Sequence, residues 1–302
     1  MNAVSKIALE MTIVRASSLG GYQDCPRRSA SRMFRKEIIA AGYELRETTN
    51  GIGAAVGTSV HKGGKIMLDE KAKTGELPPI SVSTDAAIDT LRAELDREIT
   101  FDKTTVDLNE AETQVIRMTK VYARDVAPDV QPLLVEERME ATVPWATQGL
   151  IVSGQADLVA REPGAIRDTK AGSKLGTYSC QVGTYSLLAR SNGIDITEAN
   201  IDFVKRVHIT AKTKTQVQPP AVVQKYNIAL AETAAVNVLR HIDGDLKTFR
   251  EGDPERGLLP GDAWAFPANP SSMLCGEKYC GCYGCKGEHS FCREWEPKEQ
   301  DE

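Results

Sequence analysis

The stretch that decides the fold runs from Gly154 to Lys170 and reads GQADLVAREPGAIRDTK. Apolar residues on both sides of Glu162-Pro163-Gly164 predict two strands, over residues 150–160 and 165–170, joined by a tight turn. Strands joined by so short a turn pair antiparallel. The sequence therefore places Asp157, on the first strand, across from the end of the second.

Asp157, Asp168 and Lys170 form the candidate catalytic group. Asp168 and Lys170 are two residues apart, so on a strand both side chains point to the same face. Two adjacent carboxylates repel each other unless a cation lies between them, and hard cations such as Mg²⁺ or Mn²⁺ prefer oxygen ligands. With a lysine to hold a water molecule, the group suits metal-assisted hydrolysis of phosphodiesters. The common alternative is an exposed Asp-x-Lys ion pair without function.

The other elements are helical before this strand pair and mixed after it. Periodicity and capping residues predict helices over residues 27–41, 57–73, 83–99, 109–126, 178–191 and 226–250. Further strands are predicted over residues 133–143, 201–209 and 217–223. We therefore expect an α/β fold in a single domain over residues 1–302. Its parts are a mainly helical segment (1–130), a core with a mixed β-sheet flanked by helices (131–224), and a long helix with a cysteine-rich tail (225–302).

Composition is that of an ordinary globular protein. The 302 residues are 41% hydrophobic and 26% charged, which excludes collagen, a coiled coil or disorder for the whole chain. The net charge of −5 does not indicate nucleic-acid binding, but such binding depends on a local basic face, not on the total. No apolar run approaches the roughly 20 residues of a membrane helix, and the first 20 residues lack the apolar region of a signal peptide. We expect a soluble, intracellular (cytoplasmic) protein with no membrane partner.

Five of the seven cysteines lie between Cys275 and Cys292, whereas Cys25 and Cys180 stand alone. The odd number and the clustering do not suit a disulfide framework. Thiols of a reducing compartment are more often metal ligands or buried groups. The spacing therefore predicts a metal or cluster site, with zinc and an iron–sulfur cluster both open. Cys180 is expected to be a small core residue.

Two basic runs are candidates for contact with nucleic acid. The first follows Cys25 and the second follows the predicted strand 201–209. Each run is either a surface for a DNA backbone or merely a solvated face, the second along an edge strand. Their members are Arg27, Arg28, Arg32, Arg35 and Lys36, and Lys205, Arg206, His208, Lys212 and Lys214.

Together, the motifs resemble those of the PD-(D/E)XK nucleases, in the RecB-like branch with an iron–sulfur cluster. That branch includes CRISPR-adaptation nucleases, AddB-type subunits and phage exonucleases. The motifs occur in the family's order and span residues 22–285. They are Gly57-x-x-x-His61, Gly154-Gln155-Ala156-Asp157, Asp168-Thr169-Lys170, Gln181-x-x-x-Tyr185, and Cys25 with Cys275-x4-Cys280-x4-Cys285.

The resemblance implies a restriction-endonuclease-like fold and a metal-dependent DNA exonuclease of recombination, repair or phage DNA processing. Its substrate would be DNA, single-stranded or with free ends. Lys170 would position the attacking water, while Gln181 and Tyr185, four apart on one helix face, would orient Lys170 or touch a phosphate. The ligands of Mg²⁺ or Mn²⁺ would be Asp157, Asp168, His61 and the carbonyl oxygen of Thr169.

The resemblance also implies a [4Fe–4S] cluster held by Cys25, Cys275, Cys280 and Cys285. Such a cluster would join the two ends of the chain and would be structural. Cys282 and Cys292 are surplus to this set. They leave open a zinc site of Cys280, Cys282, Cys285 and Cys292, in a protein that binds nucleic acid without cutting it.

Overall fold

The computed structural model of the protein describes residues 11–208, 210–211, 214–215, 217–285 and 289–292. Its helices are α1 (Leu19–Asp24), α2 (Pro26–Met33), α3 (Arg35–Ala40), α4 (Ile52–Thr74), α5 (Ile80–Leu95), α6 (Leu108–Asp125), α7 (Ser179–Ser191) and α8 (Ile228–Glu251). Its strands are β1 (Thr12–Arg15), β2 (Asn50–Gly51), β3 (Ile99–Thr100), β4 (Pro132–Val135), β5 (Arg138–Thr142), β6 (Leu150–Gln155), β7 (Leu158–Ala160), β8 (Ala165–Gly172), β9 (Glu198–Lys205), β10 (Thr210–Ala211), β11 (Lys214–Thr215) and β12 (Val222–Tyr226). No helix in these ranges is both long enough and apolar enough to cross a membrane.

The chain divides into two compact units. The terminal unit consists of Met1–Thr48, Met139–Gly154 and Thr233–Glu302, and the central unit of Thr49–Arg138 and Gln155–Glu232. Compactness alone does not decide whether either unit folds independently. One domain over residues 1–302 therefore stays a prediction.

The central unit contains a mixed sheet with helices packed on it. Its strand order is β12-β9-β8-β7-β4, with β8 parallel to β9 and the other neighbours antiparallel. Helix α4 contacts β4 and β8, and α7 contacts β8 and β9. The predicted mixed α/β core with flanking helices is confirmed, as is the antiparallel pairing around the Glu162-Pro163-Gly164 turn, where Leu158 pairs with Arg167.

The apolar core of the central unit lies where the long helices meet one another and the sheet. Val56 and Val60 of α4, Met118 of α6 and Val204 of β9 are all fully buried there. Burying side chains of this size contributes about 1.5–3 kcal/mol each. The core therefore fixes α4, and with it His61, against the sheet.

The terminal unit is built around a small sheet and an aromatic cluster. The sheet has the order β1-β6-β5, with β1 parallel to β6. The rings of Phe34, Phe249 and Phe291 each approach the buried ring of Phe266, with centroids 5.3–6.2 Å apart. Aromatic pairs at such distances add about 0.5–1.5 kcal/mol beyond the area they bury. The cluster thus joins residues from both ends of the chain.

Several predicted element bounds are wrong, each for a local reason. The helix predicted over residues 27–41 is divided at Phe34 into α2 and α3. Ser83 lies inside α5, which begins after Pro79, and the side chain of Asp107 caps α6 instead of that of Asn109. The strand predicted over residues 133–143 is interrupted at Glu136, whose φ of 48° cannot continue a strand.

Candidate active site and thiol cavity

The central unit brings the predicted catalytic and metal-binding residues together beside β8. Asp157 lies in the short break between β6 and β7, not inside one long strand as predicted. The backbone N–H of Thr169 donates to Asp157 Oδ2 at 2.6 Å, and His61 Nδ1 of α4 lies 3.1 Å from the same oxygen. Asp157 is therefore held between a helix and the neighbouring strand.

Asp168 and Lys170 share one face of β8 and form an ion pair of 2.6 Å between Oδ2 and Nζ. Asp168 is only 2% exposed. Its Oδ2 is buried and has no partner with hydrogen-bond geometry among the described residues, despite the nearby ammonium. A buried carboxylate oxygen with unused acceptor capacity is suited to a cation. The ring of Tyr178 lies 5.1 Å from Lys170 Nζ and adds a cation–π contact.

Charge and burial together set the protonation of this group. Burial, reinforced by Asp157, raises the pKa of Asp168 to about 6 in spite of Lys170. Burial acts on Asp157 in the same direction, but His61 and Lys170 outweigh it and lower the pKa of Asp157. Two carboxyl groups with pKa values pushed apart are typical of sites that handle protons or cations.

The two cationic partners show the complementary effect. Burial lowers the pKa of His61, but Asp157 outweighs it, so that the pKa of His61 is raised. Likewise, Asp168 outweighs burial and raises the pKa of Lys170. In both cases attraction to a carboxylate, Asp157 for His61 and Asp168 for Lys170, favours the protonated form.

Helix α7 presents Gln181 and Tyr185 to the same group. Gln181 Nε2 donates to Tyr185 Oη at 2.9 Å and lies 3.4 Å from Asp168 Oδ1. Both side chains are buried. Between them, Gly183 allows the backbone of α7 to approach α8, because a Cβ there would lie 2.1 Å from the carbonyl oxygen of Ala231. The spacing of the motif thus positions a hydrogen-bonding pair, while its glycine permits the close packing.

Sequence reasoning missed Glu136, which adjoins the site. Its backbone N–H donates to the carbonyl oxygen of Asp157 at 3.2 Å. Burial and the charge of Asp157 raise the pKa of the Glu136 carboxyl group. Its left-handed backbone costs about 1–3 kcal/mol, and such conformations cluster at functional sites. The signal was the pair Glu136-Glu137 in the middle of a run that otherwise alternates as a strand.

The donor types at this site fit a hard divalent cation, although the side chains alone do not complete a metal site. In the part of the chain that the structure describes, no three His, Cys, Asp or Glu side chains are grouped closely enough to hold an ion. Asp157, Asp168 and the imidazole of His61 nevertheless supply acceptable ligands, and Asp168 Oδ2 has unused acceptor capacity. Backbone oxygen and water would complete the coordination.

A sequence profile of the PD-(D/E)XK nuclease superfamily matches residues 15–285. The chain belongs to this superfamily. The matched range contains His61, Asp157, Asp168 and Lys170. No curated protein sequence matches the chain.

One solved structure shows a related fold. A protein of Eubacterium rectale named "Putative exonuclease" is 12% identical, with a TM-score of 0.52 over 84% of this chain and 88% of that one. At this identity the likeness concerns the fold alone. A phage-related exonuclease from Haemophilus somnus 129PT is 17% identical over 68% of this chain and 97% of that one, but its TM-score of 0.25 supports no argument.

The terminal unit of this PD-(D/E)XK protein holds six of the seven cysteines, while Cys180 lies on α7 of the central unit. Five thiols line one small cavity, together with Arg28 and Asn269. Cys285, a predicted cluster ligand, is not among the lining residues, and its Sγ approaches the carbonyl oxygen of Gly281 at 3.6 Å. Three of the four predicted ligands are thus brought together, with two that were considered surplus. The five are Cys25, Cys275, Cys280, Cys282 and Cys292.

The environment of the cavity favours a thiolate. A hydrogen bond from Cys282 lowers the pKa of Cys280 to about 6 despite burial, and Arg28 acts in the same direction. The same hydrogen bond and burial raise the pKa of Cys282. The backbone N–H of Asn269 donates to Cys25 Sγ at 3.4 Å. Thiolates are the form that binds zinc or iron, so the donor type suits either metal, although no three of the described thiols lie close enough together to hold an ion.

Each basic run is buried in part, while Arg32, Lys36 and Lys205 are exposed. Arg27 and Arg28 are 1% and 5% exposed, and Arg28 pairs with Asp24 at 2.8 Å. In the second run, Arg206 is buried and pairs with Asp102 at 2.7 Å. Strand β9 is internal to its sheet, so the edge-strand interpretation is wrong. Lys212 lies outside the described residues, and no side chain is described for Lys214.

Proposed function

We propose that the chain is a divalent-metal-dependent DNA exonuclease of the RecB-like branch. Membership of a nuclease superfamily supports hydrolysis of DNA phosphodiesters. The observation that carries the proposal is the convergence of Asp157, Asp168 and Lys170, with Lys170 Nζ 2.6 Å from a buried carboxylate oxygen. Its substrate is DNA, single-stranded or with free ends, and its setting is recombination, repair or phage DNA processing.

Each residue has a distinct task in this proposal. Asp157, Asp168, His61 and the carbonyl oxygen of Thr169 hold Mg²⁺ or Mn²⁺, which when bound stabilises charge on the phosphate and lowers the pKa of water. Lys170 orients the attacking water, and Tyr178 restricts the lysine to the site through its ring. The Gln181–Tyr185 pair fixes Asp168 and offers a hydrogen bond toward a phosphate.

The test uses end-labelled linear DNA and closed circular DNA, each single- and double-stranded, with and without Mg²⁺ or Mn²⁺. We expect cleavage of the linear substrates only, released stepwise from an end and dependent on the metal. Cutting of closed circles would contradict the exonuclease and leave a metal-dependent endonuclease. No metal-dependent cleavage at all would favour a protein that only binds nucleic acid.

We further propose a [4Fe–4S] cluster in the terminal unit, with Cys25, Cys275, Cys280 and Cys285 as ligands. Cys25 lines the same cavity as Cys275 and Cys280, although it precedes them in the chain by 250 residues or more. This proximity supports an inorganic group that binds thiols from both ends of the chain. The cavity offers Cys292 as the alternative to Cys285. Zinc is the rival, and elemental analysis of protein purified without air distinguishes them: iron with sulfide for the cluster, or zinc without iron.

A further inference from the structure

A second cavity of the terminal unit, of about 390 Å³, is unused by the nuclease chemistry. Its wall includes Arg27, Tyr43, Asp262, Trp264 and Phe291. Sites for small organic groups typically measure about 300–1,000 Å³ and combine aromatic walls with a few polar groups. Both the size and the lining therefore suit one nucleotide.

Trp264 is a fixed but uncovered aromatic surface at this cavity. Its side chain is 47% exposed, whereas its neighbours Ala263 and Ala265 are buried. Its backbone is held on both sides: Trp264 N–H donates to Asp262 Oδ1 at 2.9 Å, and Arg256 Nη2 donates to the Trp264 carbonyl oxygen at 3.3 Å. An indole anchored through its backbone loses little entropy when another ring stacks on it.

Arg27 gives the cavity a buried positive charge. Its guanidinium carbon lies 4.7 Å from the centroid of the Trp264 ring, and its Nε donates to the carbonyl oxygen of Phe266 at 2.9 Å. Its Nη2 is buried and has no hydrogen-bond partner among the described residues. A buried guanidinium is normally paired, so this charge favours an anionic ligand nearby.

We propose that the cavity beside Trp264 binds an unpaired nucleobase of a DNA strand. The base stacks on the indole, and the charge of Arg27 attracts the adjoining phosphate. Base–aromatic stacking tolerates any sequence because every base has a π-face. Paired bases of a duplex are already stacked on both sides, so the cavity selects single-stranded segments. This inference rests on the proposed function and adds a strand preference to it.

Trp145 provides a matched control. It lies in the same unit, is 43% exposed, and has the guanidinium carbon of Arg240 5.7 Å from its ring centroid. It does not line this cavity. If DNA binding needs only an exposed tryptophan beside an arginine, replacing either Trp145 or Trp264 should weaken it equally. If it needs the proposed pocket, only replacement of Trp264 should weaken it.

The experiment measures binding of a fluorescein-labelled oligo-dT by anisotropy, without Mg²⁺ or Mn²⁺, using the full chain. We expect Trp264→Ala to weaken binding about tenfold, because stacking one base contributes that much or more. Trp264→Phe should stay within about threefold of wild type and Trp145→Ala within about twofold. Binding of a blunt duplex should be the same in all four proteins. Thermal unfolding of each variant verifies that it folds.

Three results would overturn the pocket: unchanged oligo-dT binding by folded Trp264→Ala, equal losses in the two alanine variants, or an equal loss for duplex. Either of the last two results would mean that Trp264 belongs to the general protein surface, or contacts another protein, and does not bind a base. These results are independent of cleavage. Absence of metal-dependent cutting by wild type would refute the proposed function, whereas the anisotropy series judges the pocket by itself.

Discussion

The carboxylate group of the central unit and the thiol cavity of the terminal unit differ in the backbone that carries them. Asp168 and Lys170 lie on β8, which pairs with β9 along its whole length and with β7 over its first three residues, and His61 lies within the long helix α4. The tail cysteines lie instead on a succession of turns, with single bonds such as Cys275 N–H to the carbonyl oxygen of Ser272. A sheet and a helix hold their side chains without a ligand, whereas turns depend on what binds them.

This difference predicts opposite responses to loss of the metal. Chelating Mg²⁺ should stop cleavage and leave the free energy of unfolding almost unchanged, because the carboxylates are already positioned. Losing the thiol-bound group should destabilise the terminal unit, since structural metal sites supply folding energy directly.

The largest effect is expected at the rigid site. Asp168→Asn or Lys170→Ala should reduce DNA cleavage at least about 10³-fold by removing a metal ligand or the group that orients water. Asp168→Asn should change the melting temperature little, whereas Lys170→Ala should lower it, because it leaves the buried Asp168 carboxylate without its ion-pair partner. Exposed Lys174 is the matched control, and Lys174→Ala should cut normally. A wild-type rate in either site variant would show that the chemistry lies elsewhere.

The next effect tests the thiol cavity. Cys25→Ser should abolish bound iron and lower the free energy of unfolding by at least about 3 kcal/mol, because it opens the connection between the chain's two ends. Cys180→Ser, a buried thiol in α7, should retain full iron content. Iron analysis and chemical denaturation measure both quantities. Colourless wild-type protein with zinc, and a fully stable Cys25→Ser, would contradict the cluster.

A sharper form of the same test concerns the fourth ligand. Cys285 follows the sequence motif, while Cys292 lines the cavity. Whichever serine variant loses iron identifies the ligand, and the other should keep it. Loss in both variants would indicate that the turn itself, and not one thiol, supports the group.

The third effect concerns pH. A metal ligand must be deprotonated, and the pKa of Asp168 is about 6 in the metal-free protein. His61, another proposed ligand, also has a raised pKa, so affinity for Mn²⁺ should fall progressively as the pH decreases through the pKa values of His61 and Asp168, by about tenfold per unit for each ligand that must lose a proton. Titrations of Mn²⁺ binding at several values between about pH 5 and pH 8 measure this dependence. A flat profile would mean that Asp168 is charged throughout or is not a ligand.

The smallest effect is expected at Glu136. Its carboxyl group adds negative potential beside Asp157, so Glu136→Gln should weaken Mn²⁺ binding by roughly twofold to fivefold. The exposed neighbour Glu137 supplies the control. Equal binding by Glu136→Gln and wild type would confine Glu136 to a structural role in the turn.

The sequence predicted the catalytic group of the central unit well, because side chains along a regular helix or strand return to the same face at fixed intervals. Two-residue spacing placed Asp168 and Lys170 on one face, and four-residue spacing placed Gln181 beside Tyr185. Prediction from the sequence failed where the backbone is not a regular helix or strand, which is the case at Glu136, at Phe34 and among the tail cysteines. Spacing in a glycine-rich turn does not determine which thiols meet. It also did not reveal that Arg27 and Arg28 are buried, because Phe266 and Ser272, which accept hydrogen bonds from them, lie more than 200 residues away.

The division of the terminal unit between both ends of the chain has a consequence during synthesis. A ribosome completes Cys25 and α2 early, but Cys275 and Phe266 follow some 240–250 residues later. At about 5–20 residues per second, the first segment waits roughly 10–50 s for its partners. In the central unit the delay is shorter, because β8 begins at Ala165, about 90 residues after α4 ends at Thr74. Over that interval the nascent chain exposes the thiol of Cys25 and the apolar side chain of Phe34, a natural point of engagement for chaperones.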